Sequence, residues 1–308
     1  MKKPSQKVSL PVGHVSKDPK LGKYYQDFSL AMHHFDENYF GQFDENGLPM
    51  VGFGADAIYN QIYIIQFGLI THDLVLSGVD IDKNTDRLKK SVQWLEANEE
   101  KIGETIVWRN HFENPRYGLE SGWISGMYQG QAMSLYLRYG QLVGEEKKYL
   151  EKANKIYNFF DTPFENGGVK RFDKQGLLWF EEYPSSEPSF VLNGFIYAFL
   201  GIYDLWRITS GKDEKATIDS CVETLKKSII LYDSGYWSVY DQLKKELATK
   251  YYHENIHIPL MEVLHNLTGE EIFNHYQKRW KKQLNSKLNN NLVHLMYRVQ
   301  PRLKKFFG

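Results

Sequence analysis

Cysteine is nearly missing from this chain. Cys221 stands alone among 308 residues, which excludes an intramolecular disulfide framework. An excess of charge of one sign is also missing. Lys plus Arg and Asp plus Glu both number 38, whereas a protein that grips nucleic-acid backbone usually carries a basic excess; no nucleic-acid partner is expected. Long apolar runs are absent too. The longest, around Ile62–Ile70, is broken by Tyr63, Gln66 and Gly68, well short of the roughly 18–20 apolar residues of a membrane span. The opening Met1-Lys2-Lys3-Pro4-Ser5-Gln6 lacks the apolar stretch of a secretory signal, so the default expectation is a cytoplasmic location. There is no GxGxxG, no P-loop, no HExxH and no zinc-spaced Cys/His cluster, and Gly122-Trp123-Ile124-Ser125-Gly126 has the wrong spacing for GxSxG. His253 and His257 lie at i, i+4, but Tyr252 and Glu254 do not complete a metal site. Neither a metal nor a cofactor is expected.

Aromatic residues are abundant. They make up 15% of the chain, with 21 Tyr and 7 Trp, while the 42% hydrophobic and 25% charged fractions are those of an ordinary globular protein. Aromatic rings fill cores, and they also stack on sugar rings. Tyr adds a phenol that hydrogen-bonds or transfers a proton.

Three regions follow from the patterning. Residues 1–56 are punctuated by Pro and Gly, and Asp44-Glu45-Asn46-Gly47 reads as a turn between extended pieces at Tyr39–Phe43 and Leu48–Val51, an irregular arm bearing a β-hairpin. Residues 57–284 read as helical hairpins. Ile58, Ile62, Ile65, Leu69 and His72 keep helical spacing from Ala57 onward, and Asn84–Asn98 follows. Further pairs are Trp123–Tyr139 with Lys147–Phe160, Phe190–Trp206 with Asp213–Leu231, and Ile256–Leu267 with Glu270–Trp280. Gly144, Gly211 and Gly269 sit at the joints, where a left-handed glycine ends one helix and the acidic residues after it suit the N-terminus of the next. The fold class expected is mainly α, an incomplete (α/α) barrel or toroid with a short β-hairpin arm. Aromatic first helices would line the inside and lysine-rich second helices the outside. Gly167–Asp173 and Gly176–Phe180 read as strands joined at Lys174-Gln175, and Gly235–Asp241 as a further short strand. Residues 285–308 form a tail in which Leu284, Leu288, Leu292, Leu295, Met296 and Val299 recur at helical spacing among Lys287, Arg298, Arg302, Lys304 and Lys305, followed by Phe306-Phe307.

Polar side chains gather where strands and loops run into the inner helices. One group is Glu181-Glu182-Tyr183-Pro184 leading to Asn193; another is Tyr240-Asp241; a third is Tyr251-Tyr252-His253-Glu254-Asn255. Gly122–Gln131, with Trp123, Ser125 and Gln129, makes a fourth. Any single member reads most simply as a buried polar group satisfying a loop. Their repetition at one end of the inner helices points instead to a site.

These stretches resemble the C-terminal catalytic domain of the D-glucuronyl C5-epimerase family, which acts on heparosan or heparan precursor chains. The resemblance runs in order from Gly122-Trp123-Ile124-Ser125 and Gln129-Gly130-Gln131 through Glu181-Glu182-Tyr183-Pro184 and Phe190-Val191-Leu192-Asn193-Gly194. It continues through Tyr240-Asp241 and Tyr252-His253 to Arg279-Trp280, over roughly residues 105–282. Upstream, Tyr59-Asn60 and Ile65-Gln66-Phe67-Gly68 join it. The resemblance implies an (α/α) barrel with an N-terminal β portion and catalytic roles for Glu182, Tyr183, Tyr240 and Tyr252. It also implies substrate contacts at Asn193 and Tyr197. Tyr59, Asn60, Gln66, Trp123, Gln129, His253 and Asn255 are further substrate-binding candidates. The family has Leu-Arg after the Tyr-Asp pair, the arginine lying near the substrate carboxylate. Here Gln242-Leu243 stand there, so the cation must come from elsewhere, with Arg116, Lys244, Lys245 and Lys250 as candidates.

The chemistry suits these residue types. Inversion at C5 of glucuronate removes a weakly acidic proton α to a carboxylate and returns one to the other face. It needs two acid/base groups across the ring and charge stabilisation for the enolate. Expulsion of the C4 oxygen from the same carbanion would make the protein a polysaccharide lyase, and loss of the chemistry would leave a carbohydrate-binding relative. The expected partners are an acidic polysaccharide and a second copy of the chain in a homodimer. The tail reads as a helix packed on the toroid or a second subunit, or as a peripheral contact with an anionic membrane or a membrane-bound polymer synthase.

Overall fold

The structure, a computed structural model, describes residues 9–32 and 41–307, with side chains as far as residue 299. Residues 39 and 40 of the expected first strand, and the side chains of Arg302, Lys304, Lys305, Phe306 and Phe307, lie outside the described residues. The chain is mainly helical. In order come α1 (Gln61–Leu76), α2 (Ile81–Ala97), β1 (Glu100–Ile102), β2 (Thr105–Val107), α3 (Gly126–Val143) and α4 (Glu146–Phe159). Then follow β3 (Lys170–Phe172), β4 (Leu178–Phe180), α5 (Leu192–Thr209) and α6 (Lys212–Ser228). Last are a turn at Lys250–Tyr252, a π-helix at His253–His257, α7 (Ile258–Thr268), α8 (Glu271–Asn285) and α9 (Lys287–Phe307).

The expected pairs are present: α1 packs on α2, α3 on α4, α5 on α6 and α7 on α8, while α3 lies between α1 and α5. Burial follows composition. Residues of α3 and α5 are buried along nearly their whole length, whereas α2, α4 and α6 bury one stripe each, such as Leu88, Val92 and Leu95. α3 and α5 meet backbone to backbone because Gly130 and Gly201 face each other. A Cβ on Gly201 would come within 2.2 Å of the Gly130 carbonyl oxygen, so these glycines are demanded by close approach rather than by flexibility. The joints are as expected at Gly144 (φ 73°) and Gly269 (φ 76°). At the third joint the expectation is corrected. Ser210, not Gly211, takes the left-handed conformation, at φ 52°, and Gly211 leaves room for Glu214, whose carboxylate a Cβ would overlap.

α1 begins at Gln61 rather than Ala57, because Ile58 pairs with Val51 and Asn60 caps the helix by accepting from the Ile62 N–H. β3 and β4 form the expected antiparallel hairpin. β1 and β2 form a second hairpin that the sequence pattern did not suggest. Gly235–Asp241 is not a strand; it makes isolated bridges through Ser238 and Val239. The Asp44–Gly47 turn is present, with Asp44 Oδ1 accepting from Asn46 and Leu48.

Residues 10–32, read from the sequence as part of the irregular arm, share the main core. Leu10, Leu21, Tyr24, Tyr25, Phe28 and Met32 are buried in it. Tyr25 Oη donates to Asp204 at 2.6 Å. Arg138 binds the Gly22 carbonyl at 3.1 Å and Arg207 that of Asp18 at 2.8 Å. Arg138 and Arg207 also flank Asp204, and Ser134 Oγ donates to it at 2.7 Å. A carboxylate and two guanidiniums buried together are tolerable only when hydrogen-bonded to one another and to the chain, and here they are. α9 packs back through Val293, which forms a small core with Trp237 and Leu247.

Candidate active site

A cleft of about 230 Å³ opens among the loops that precede α3, α5 and α7, lined by Asn114, Arg116, Tyr117, Tyr183, Tyr240, Glu246, Leu247, Thr249 and Tyr252. Three separate segments supply its phenols. Tyr117 comes from the loop after β2, and Tyr183 from the end of β4. Tyr240 and Tyr252 flank the residue 241–251 loop. The π-helix at His253–His257 begins directly after Tyr252; such local widening of the helix often accompanies functional sites. Tyr117 and Tyr183 stack, with ring centroids 4.3 Å apart, and the tilted ring of Trp123 lies 5.6 Å from that of Tyr183. A second pair, Tyr240 and Tyr252, meets edge to face at 5.0 Å, and their hydroxyls hydrogen-bond each other.

Glu182 lies behind Tyr183, 2% exposed. Tyr183 donates its hydroxyl proton to the Glu182 carboxylate, and Asn193 Nδ2 donates at 3.4 Å. Gly194 makes the room, since a Cβ there would come within 2.3 Å of Glu182 Oε2. Desolvation dominates and raises the Glu182 pKa to about 8, above the ordinary 4.5. Burial also pushes Tyr183, Tyr240 and Tyr252 well up from 10.0, with the charge of Glu182 next in line. One hydroxyl, that of Tyr183, thus shares a hydrogen bond with the buried carboxylate, and burial favours the protonated forms of Glu182 and of all three phenols.

Glu181, the neighbour, has another task. Its carboxylate accepts from the Ser189 N–H at 3.0 Å, the Phe190 N–H at 3.1 Å and the Ser189 hydroxyl. It thereby holds Phe190 at φ 43° at the entry to α5. Burial raises its pKa to about 7. Glu181 shapes the loop, and Glu182 faces the phenols.

Arg116 is the cation among the cleft-lining residues. It pairs with Glu246 at 2.8 Å and with Asp241 at 3.7 Å, and its guanidinium lies 5.9 Å from the centre of the Tyr240 ring. Asp241 also accepts from Tyr117 Oη at 2.8 Å. Lys244, Lys245 and Lys250 are exposed and do not line the cleft.

The other sequence candidates distribute unevenly. Asn60 reaches the hydroxyl of Tyr128, whose ring lies 6.0 Å from that of Trp123. Tyr59 lies at the surface on Trp94, its hydroxyl donating to Asp44 at 2.8 Å. Gln66 donates to Gln131 at 3.3 Å. Gln129 is wholly buried on α3, and neither of its amide atoms has a hydrogen-bond partner among the described residues. The same holds for Ser125 Oγ and Asn193 Oδ1. Tyr197 is 2% exposed and its hydroxyl is committed to Gln26. His253 is held by Ser238 at 2.8 Å and the Trp280 carbonyl at 3.1 Å beneath the stacked Trp237 ring. Asn255 gives its carbonyl to Gln26. Sequence reading missed Asn114, Tyr117, Glu246 and Thr249; only the Asn-Pro-Arg-Tyr turn at 114–117 offered a signal, through its turn chemistry. Among the described residues no group of three or more His, Cys, Asp and Glu is placed to hold a metal ion.

Similarity to known proteins agrees with this geometry. A family described as the D-glucuronyl C5-epimerase C-terminus matches residues 101–282, which contain Glu182 and every cleft residue. An uncharacterized protein of Methanocaldococcus jannaschii is 38% identical over 187 residues, 59% of this chain and 59% of its own length. The D-glucuronyl C5-epimerase of Caenorhabditis elegans is 30% identical over 208 residues, 62% of this chain and 33% of its own length. The matched stretch thus spans less than two thirds of either relative. Because the family match covers more than half of the chain and carries the whole phenol-lined cleft, the chain belongs to the D-glucuronyl C5-epimerase C-terminal family.

Proposed function

We propose that this chain is an isomerase that inverts C5 of D-glucuronate residues within a heparosan-like uronic-acid polysaccharide, giving L-iduronate. The observation that carries this reading is the buried Glu182 joined to Tyr183 in a cleft that Tyr240 and Tyr252 also line. We read the four helix pairs as an incomplete (α/α) toroid within residues 57–284, with the cleft at its mouth.

In this reading a sugar ring lies between the two pairs of phenols. One phenol takes the C5 proton while the C–H electron pair moves into the C6 carboxylate as an enolate. A phenol of the other pair returns a proton to C5 on the other face. The phenol that takes the proton acts as its phenolate, a suitable partner for so weak a carbon acid; for Tyr183 that form arises when its own proton passes to the ionised form of Glu182, and the phenol that returned a proton to C5 regains one from solvent. Arg116, released in part from Glu246, neutralises the substrate carboxylate and the charge that grows on it. Asn193 holds Glu182 in place, and Tyr117 presents a stacking face for the sugar.

The test is solvent-deuterium incorporation at C5 in heparosan and a panel of other uronate polymers. Exchange without chain cleavage is expected. Accumulation of an unsaturated, ultraviolet-absorbing product would reassign the chain as a lyase. Binding without exchange on every polymer would reduce it to a carbohydrate-binding relative.

A further inference from the structure

The chain is neutral overall but its charge is not evenly spread. Residues 272–308 contain nine Lys or Arg and no Asp or Glu. With 38 of each sign in the whole chain, the first 271 residues hold 38 acidic and 29 basic groups (38 less nine). This basic end is built from α8 and α9. Arg279 is bound to Asp233, while Lys281, Lys282, Lys287 and Arg298 are exposed.

α9 has two apolar faces. The inner one is used: Val293 is 3% exposed in the small core with Trp237 and Leu247, and Tyr297 donates to the Ala248 carbonyl. The outer one is not. Leu288, Leu292 and Leu295, spaced four and three apart and so on one face, are 68%, 39% and 55% exposed. The sequence continues the row with Val299, and adds Arg302, Lys304 and Lys305 beyond it. No helix among the described residues is long and apolar enough to cross a membrane. A helix with an exposed leucine row bordered by cations is instead suited to lie in a lipid interface, its leucines among acyl chains and its cations at headgroup level.

We propose that the outer face of α9, with the exposed lysines of α8, docks on an anionic phospholipid surface. Two other occupants fit less well. A second copy meeting this face by two-fold symmetry would bring two basic surfaces together, with no acidic residue in 272–308 to oppose them. A soluble polyanion would use the cations and leave the leucines in water. The inner face of α9 grips the segment that contains Leu247 and Thr249 of the cleft wall, so docking would hold the cleft close to the surface.

Vesicle co-sedimentation of the full chain tests this without reference to C5 chemistry, so it can fail or succeed whatever the fate of the epimerase reading. Vesicles of phosphatidylcholine with and without phosphatidylserine are the probes, at low and high salt. Binding is expected only with phosphatidylserine, and weakened by salt. The triple variant Lys281→Glu, Lys282→Glu, Lys287→Glu should weaken it by about a hundredfold or more, from the strength of single cations near an acidic leaflet. The triple variant Leu288→Ser, Leu292→Ser, Leu295→Ser should weaken it at least ~10-fold, with an unchanged thermal melt because these side chains are exposed. No binding of the full chain to phosphatidylserine vesicles at low salt overturns the proposal. Undiminished binding of the serine variant also overturns it and marks a site for soluble polyanions. A serine variant whose mass in solution halves while the parent ignores vesicles assigns the face to a second copy.

Discussion

Two clusters of buried polar groups in this molecule, around Asp204 and around Glu182, are treated oppositely. Around Asp204, every charge is answered: Tyr25, Ser134, Arg138 and Arg207 converge on one carboxylate, and the guanidiniums also bind carbonyls of residues 18–22. Around Glu182, partnership is incomplete. Ser125 Oγ, both Gln129 amide atoms and Asn193 Oδ1 lack partners among the described residues, and the phenols face a cleft rather than each other's backbones. An unmade buried hydrogen bond costs about 1–3 kcal/mol. Unpaired buried atoms also occur at Asn84, Trp280 and Gln283, so what sets the Glu182 region apart is that its phenols line a cleft, while the Asp204 cluster is closed over by the chain.

The contrast can be broken at its satisfied end first. Asp204→Ala leaves Arg138 and Arg207 buried without a counter-charge and should cost about 3–5 kcal/mol of stability. Denaturant titration would read it, and per folded molecule the C5 exchange rate should hold. A loss below about 1 kcal/mol would mean that water reaches the cluster.

At the cleft the signs reverse. Tyr183→Phe and Tyr252→Phe should each lower C5 exchange by ~10²-fold or more with little change in the melt, and Glu182→Gln should lower exchange as far. Near-normal exchange in both phenylalanine variants would remove the two-phenol reading. Arg116→Gln is expected to act less, by ~10-fold in kcat/KM, with partial rescue by Arg116→Lys, since a surface-facing cation acts mainly on binding and charge. Unchanged kinetics would mean that the substrate carboxylate finds its cation elsewhere.

A smaller effect sharpens the comparison through pH. The folded pKa of Glu182 is raised to about 8 from 4.5. Below about 4.5 it is protonated in both folded and unfolded chains. As pH rises toward about 8 the unfolded chain ionises first, so wild type loses stability across that window. Glu182→Gln has no such proton to lose. Its stability relative to wild type should therefore grow with pH by roughly 1–3 kcal/mol and level off above about 8. A flat difference between the two melting profiles would refute the burial argument. Smallest of all, Ser125→Ala should change stability by less than ~0.5 kcal/mol, because its hydroxyl has no partner to lose. A loss above 1 kcal/mol would show that the hydroxyl is satisfied after all.

Much of the architecture was legible locally. The 3–4 spacing from Ile62 to His72, the glycines at 144 and 269 and the turn at 174–175 each act within a few residues, so they mark helices, joints and the β3–β4 hairpin without knowledge of the rest of the chain. The family resemblance is legible for the same reason, as short ordered motifs. Local pattern also misled where a distant neighbour decided: Gly211 stands at its joint because Glu214 folds over it, and Ser210 takes the left-handed turn.

The assignment of work among similar residues came only from tertiary structure. Glu181 and Glu182 are adjacent and chemically identical. One is taken up by Ser189 and Phe190, and the other meets the phenols. Tyr197 and His253 look like site residues by position, yet Gln26, Ser238 and Trp280 occupy their polar atoms. Tyr117 and Arg116 enter the cleft by partnering Asp241 and Glu246, 124 and 130 residues away. Tyr25 reaches Asp204 across 179 residues. Helix periodicity is a short-range property written along the chain. Whether a buried phenol or carboxylate is satisfied depends on which distant segment folds against it, and that is a property of the packed molecule alone.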